Sequence, residues 1–194
     1  MMHSFPVGGR LALKSFGMLS LAAILVLAVA RPAPTLSAQS ADALFSGAKS
    51  EAQGAHKDIL LVFSASWCGP CKLYERFLED TQMKAITETA FVIVRIDVGE
   101  RASDSNHANT PGGAELRSAL GAEGEPGYPF IVITDPFGNP IVNSYRNGNK
   151  QMNVGYPEAP EEIDWYIAML RRIPSISPAD LAATRAWLRQ HARR

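Results

Sequence analysis

The sequence predicts an α/β fold, a mixed central sheet with helices on both faces and an extra C-terminal helix. Three observations predict it. Two short apolar runs, residues 59–63 and 91–96, are separated by a helical pattern, and a strand–helix–strand unit pairs its strands in parallel. Two further extended segments, 130–134 and 141–145, flank the turn chemistry of Asp135-Pro-Phe-Gly-Asn139 and read as an antiparallel hairpin. Helical periodicity recurs before, between and after these strands, so both faces of the sheet can be covered.

The elements follow in order. Residues 41–54 are Ala-rich, with Leu44, Phe45, Ala48 and Ala52 at helical spacing. Asp58 precedes the continuous run Ile59-Leu60-Leu61-Val62-Phe63, the pattern of a strand buried on both faces. One helix is expected over residues 68–79, turning Leu73, Phe77 and Leu78 inward, and then a strand over 91–97 with Arg95 and Asp97 facing solvent. Residues 99–113 (GERASDSNHANTPGG) have no periodicity and read as a long loop, either a roof for the groove or tolerated surface; residues 114–120 suit a short helix. After the hairpin, residues 158–172 form a helix with Pro160, Glu161 and Glu162 near its N-terminus and Arg171 and Arg172 at its end. Its inner face carries Ile163, Tyr166, Ile167 and Leu170, while Tyr156 and Trp165 read as core or edge packing. Ser177 then caps a last helix, with Pro178 at its first position and Leu181, Thr184, Arg185 and Leu188 along one side.

Composition narrows the functional classes. The chain has 194 residues, 46% of them apolar, which excludes disorder throughout and suits one domain plus appendages. Its 19 basic and 19 acidic residues cancel, giving no general drive toward nucleic acid or an anionic membrane. Two cysteines can build neither a disulfide-dense scaffold nor a four-thiolate zinc site.

Residues 1–38 read as a signal peptide, or an uncleaved anchor, plus a linker. Arg10 and Lys14 precede an uncharged stretch at 15–30, which Arg31, Pro32 and Pro34 end. Its 16 residues make about 24 Å of helix, short of a hydrocarbon core of about 30 Å. Cleavage could follow Ala30, Ala38 or Ser40. Either way the remainder is expected outside the cytoplasm, in a bacterial periplasm, free or anchored through residues 15–30.

The chemistry lies in Trp67-Cys68-Gly69-Pro70-Cys71-Lys72. Randomly placed, two cysteines would fall three apart in roughly 1% of arrangements. Here the pair follows a buried strand and opens a helix, so Cys68 is expected exposed on the first turn beside unpaired backbone N–H groups. Those groups favour thiolate over thiol and pull its pKa toward neutrality, near the optimum for an attacking thiol. Cys71, one turn on and deeper, is the expected resolving thiol. Pro70 has no N–H to lose in the first turn, and Gly69 leaves the sulfurs unobstructed.

WCGPCK is the active-site signature of the thioredoxin superfamily, which the sequence resembles over about residues 41–172. The resemblance implies a thioredoxin-like three-layer fold, and a cis-proline facing the disulfide across a groove. The matching residue is Pro129, with Tyr128 offering backbone to a bound peptide. Val62 departs from the pattern, because many thioredoxins bury there an Asp that accepts the resolving thiol's proton. Arg95 stands near where those proteins have a lysine. Residues 173–194 are then a helical extension beyond the domain.

Plainer readings compete with these. An inert disulfide across two residues closes too small a loop to stabilise much, and a metal site would lack ligands. Trp67 either shapes the groove rim or packs. His56, His107 and His191 have no nucleophile motif around them, which argues against a Cys-His hydrolase. The reading is therefore an exported thiol–disulfide oxidoreductase that reduces protein disulfides and serves cell redox homeostasis. It needs no metal or organic cofactor, acts as a monomer, and exchanges electrons with a membrane or soluble redox partner. The alternatives are a dedicated reductant for apocytochrome maturation and a non-catalytic peptide-binding or chaperone module.

Overall fold

The computed structural model describes residues 39–103 and 107–192; the signal or anchor segment expected over residues 1–38 lies outside them. Helix α1 (Ala41–Ala55) is capped by Ser40, whose side chain accepts the N–H of Ala43, and ends at His56 in the left-handed region. Strand β1 (Asp58–Ser64) leads to α2 (Gly69–Glu79), α3 (Thr81–Ala90) and β2 (Phe91–Asp97). Next come α4 (Gly113–Ala119), β3 (Phe130–Thr134), β4 (Pro140–Asn143), a short 3-10 turn (Arg146–Gly148), α5 (Pro160–Leu170) and α6 (Pro178–His191).

The sheet order is β2-β1-β3-β4. β1 runs parallel to β2 and antiparallel to β3, and β3 pairs antiparallel with β4. The mixed sheet, the hairpin and the C-terminal helix are thus as the sequence predicts. The alternation of β1 decides the two cores, because successive side chains point to opposite faces. Leu60 and Val62 join Ile131, Ile133 and the helices α2, α3, α5 and α6 on one face. Ile59, Leu61 and Phe63 join Val92, Val94, Ile96, α1 and α4 on the other.

The connection between β1 and β2 corrects the sequence reading. It holds two helices, not one. The chain breaks at Asp80, which leaves helical geometry with ψ 134° and turns its carboxylate onto the N–H groups of Gln82 and Met83. An Asp at an N-cap satisfies donors that a continuing helix would have used, so a second helix starts there. Met83 and Ala90 of α3 seal the core that Phe77 and Leu78 open, and Tyr74, which the sequence reading passed over, lies fully buried between them.

The last helix behaves as its cap dictates. Ser177 and Asp180 make a reciprocal capping box, and Thr184 and Leu188 face inward. α6 docks through Trp187, whose ring meets Phe77 edge-on at 5.3 Å, and through an Arg185–Asp164 ion pair to α5. No helix among the described residues is long and apolar enough to cross a membrane.

Candidate active site

β1 ends at Ser64, and β3 begins at Phe130 directly opposite Phe63. The antiparallel pairing therefore delivers the segment before Phe130 to the same end of the sheet as the turn after Ser64. Trp67, Cys68, Gly69, Pro70 and Cys71 lie on that turn and the start of α2, and Tyr128 and Pro129 lie in the segment that leads into β3. The Tyr128–Pro129 bond is cis. Ala65, Cys68 and Cys71 form one small buried cluster, and Tyr128 packs against it.

Cys68 is the N-cap of α2, one position earlier than the sequence suggested. Its Sγ accepts the backbone N–H of Cys71 at 3.1 Å, and the two residues are joined in a disulfide. Ser, Thr, Asp and Asn are the usual caps, and a sulfur in that role receives the same dipolar support for negative charge. Pro70 occupies the first turn without losing a bond. Gly69 is exposed, and a side chain there would meet nothing within 4 Å.

One expectation fails. Cys68 is not exposed: it is 3% accessible, the same as Cys71, so neither sulfur is the deeper by this measure. The cause is tertiary. Tyr128 closes over the pair, and Trp67 stands edge-on to Tyr128 with ring centroids 6.1 Å apart and an interplanar angle of 86°. Trp67 itself is 43% exposed, so it lies at the rim and not in the core.

The unpatterned connection after β2 supplies groups that the sequence reading did not single out. Trp67 Nε1 donates to the Gly99 carbonyl at 2.6 Å, and the Arg101 guanidinium lies over the Trp67 ring at 4.3 Å. Gly99 is required there, because a Cβ would come within 2.6 Å of the Tyr128 ring and 2.8 Å of Ala65. Arg117 of α4 is buried and donates from Nη1 to the Tyr128 hydroxyl at 3.1 Å. Behind Pro129, Asn153 donates from Nδ2 to its carbonyl at 3.1 Å, and Asn153 Oδ1 accepts the Ser144 hydroxyl. Of these residues only Trp67, Tyr128 and Pro129 were singled out in the sequence as site residues; their partners come from far along the chain.

Val62 fills its strand position with an apolar side chain, in the same core as the buried Tyr74 and Tyr166. The two tyrosine hydroxyls bond each other at 2.9 Å, and burial pushes both well above the usual phenol value. Arg95 is the register partner of Val62 on β2, and it is exposed. His107 and His56 are exposed as well, and His191 stacks on Trp187. Among the described residues no group of three or more His, Cys, Asp or Glu side chains is arranged to hold a metal ion. A hollow of about 640 Å³ beside α5 is lined by Arg146, Glu161, Asp164 and Trp165 and by neither cysteine.

Residues 41–136 match the family described as thioredoxin-like. Among solved structures, the chain is similar to a disulphide isomerase from Xylella fastidiosa Temecula1, with 24% identity, 71% of this chain and 95% of that chain covered, and a TM-score of 0.49. It is also similar to a DsbH oxidoreductase (20% identity, 75% and 92% covered, TM-score 0.44). A thioredoxin-fold protein from Helicobacter pylori gives 17% identity, 69% and 83% covered, and a TM-score of 0.39. No curated protein matches the chain.

Proposed function

The chain belongs over residues 41–136 to the thioredoxin-like family, and on that premise we propose that it is an extracytoplasmic thiol–disulfide oxidoreductase that reduces protein disulfides through Cys68 and Cys71. The observation that carries the reading is the Cys68 sulfur at the N-terminus of α2, accepting the Cys71 N–H, with the Tyr128–Pro129 segment packed against it. An inert cross-link needs neither the helix terminus nor the groove wall.

In the reduced protein, the Cys68 thiolate attacks one sulfur of a substrate disulfide. The Cys68–substrate bond forms as the substrate S–S bond breaks, and the other substrate sulfur leaves as a thiolate. Cys71, deprotonated, then attacks Cys68 Sγ, forming the intramolecular disulfide and releasing the second substrate thiolate. Two electrons have passed to the substrate, and a membrane or soluble dithiol partner returns them. Backbone N–H groups at the helix terminus stabilise the Cys68 thiolate, both as nucleophile and as leaving group. Tyr128 packs against the cysteine pair, so a substrate reaches Cys68 by displacing that ring, while the backbone beside Pro129 holds the peptide. No metal or organic cofactor enters these steps.

In this reading residues 41–172 form the catalytic domain, residues 1–38 the export signal or anchor with its linker, and residues 173–194 a helical extension. The apolar stretch at 15–30, between basic residues and prolines, supports export to the periplasm. Insulin reduction driven by a chemical dithiol tests the activity: the wild type turns over and Cys68→Ser does not. Cys71→Ser should accumulate the mixed disulfide. Equal turnover by wild type and Cys68→Ser, or peptide binding without any turnover, would leave a binding module in its place.

A further inference from the structure

Two serines at alternate positions, Ser64 at the end of β1 and Ser66 on the turn that leads into Cys68, each hold a carboxylate. Ser64 Oγ donates to Asp97 Oδ1 at 2.9 Å. Ser66 donates its backbone N–H to Glu100 Oε1 at 2.5 Å and its hydroxyl to Oε2 at 2.6 Å. Glu100 is half-buried, and its own backbone is clamped: its N–H donates to Asn109 Oδ1 at 2.8 Å and its carbonyl accepts Asn109 Nδ2 at 3.4 Å. A carboxylate with both oxygens seated and its backbone fixed holds its charge at one place, on Ser66, which lies two residues before Cys68 in the chain. Its field is screened less than that of a freely rotating surface side chain.

We infer that Glu100 is a redox-tuning residue: its fixed negative charge opposes the Cys68 thiolate and makes the Cys68–Cys71 pair more reducing. A like charge nearby disfavours the charged form of a thiol. Destabilising that thiolate destabilises the dithiol state relative to the disulfide, so the pair gives up electrons more readily. The nearby cations, Arg101 over the Trp67 ring, Arg117 on the Tyr128 hydroxyl and the exposed Lys72, act in the opposite sense, so the contribution of Glu100 is the difference that removing its charge makes. Asp97 on Ser64 acts in the same sense as Glu100. The helix terminus lowers the Cys68 pKa and Glu100 limits how far it falls. Glu100 touches neither sulfur in this arrangement, so its action is electrostatic and not catalytic.

The functional consequence rests on the oxidoreductase reading, but the measurement does not. Glu100→Gln keeps the pattern of bonds, because its carbonyl accepts the Ser66 N–H and its amide donates to the hydroxyl; only the charge is lost. In the reduced full-length protein, thiolate absorbance at 240 nm followed against pH should show the Cys68 midpoint falling by roughly 0.5–1 pH unit. At pH 7 the equilibrium with glutathione should shift roughly threefold toward the reduced pair. Ser66→Ala, which frees one tether of the carboxylate, should move both readings in the same direction by less, and it keeps the test open if the glutamine variant folds poorly. An unchanged or raised midpoint, in a variant whose tryptophan fluorescence matches the wild type, overturns the inference. A wild type that fails to reduce insulin while the glutamine variant still shifts the midpoint overturns the proposed function alone.

Discussion

Two connections meet at the same end of the sheet and could hardly differ more in how they are encoded. The turn from β1 to α2 is short, and its placement is local: Cys68 caps the helix and Pro70 fills the first turn. The connection from β2 to α4 is long and has no local pattern, yet it carries the Gly99 carbonyl that holds Trp67, the guanidinium over its ring and the carboxylate seated on Ser66. The first connection places the sulfurs. The second determines what covers and surrounds them. Local sequence can write a helix cap because the partners lie three residues apart, whereas a loop that docks on another loop depends on contacts more than thirty residues away.

This contrast can be broken most forcefully at Gly99. Gly99→Ala places a Cβ against Ala65 and the Tyr128 ring, and overpacking of this kind costs about 1–3 kcal/mol. A urea titration should show that loss, and alkylation of the reduced pair should speed up as Tyr128 is pushed off the cysteines. If stability and alkylation both match the wild type, the long connection is only tolerated surface. Trp67→Ala removes the edge contact with Tyr128, the bond to Gly99 and the platform under Arg101, at about 1–2 kcal/mol for a half-exposed ring. It should also open the long connection to limited proteolysis, and an unchanged cleavage pattern would mean that the two turns are independent.

Asn109→Ala sharpens the comparison from the other side. It deletes both bonds to the Glu100 backbone, worth about 1 kcal/mol together, and should raise amide exchange across residues 99–103 while α2 stays protected. The smallest effect lies away from both connections, at Asp80. Its carboxyl is held below its ordinary value of 3.8 chiefly by the Met83 N–H, aided by the Trp187 side chain and the Gln82 N–H against a partial desolvation that acts the other way. A depressed carboxylate stabilises the folded state above its unfolded pKa and loses that contribution as pH falls through the folded value. The melting temperature gap between the wild type and Asp80→Ala should therefore narrow below about pH 4, and a gap constant from pH 7 to pH 3 would show that the charge contributes nothing.

The sheet itself was readable because its signals are local and redundant. A continuous apolar strand such as β1 is buried on both faces wherever it lies, and Asp135 with Gly138 makes a turn from its own side-chain and backbone bonds. The second helix, Thr81–Ala90, was harder to see, because its start rests on one residue, Asp80, that can sit inside a helix or cap one. The structure shows it as a cap, its carboxylate accepting the Gln82 and Met83 N–H groups.

What the sequence determined by itself about this protein is the pair of sulfurs at a helix mouth, the order of parallel and antiparallel strands around it, and the Ser177 cap of the last helix, since apolar runs, turns and caps are written in neighbours a few residues apart. Only the tertiary structure decided that Cys68 is buried, that Tyr128 packs on the pair with Trp67 at the rim, and that a carboxylate from an unpatterned segment is pinned on Ser66. Burial and electrostatic environment are properties of what the folded chain brings together through space, and no window along the chain contains them.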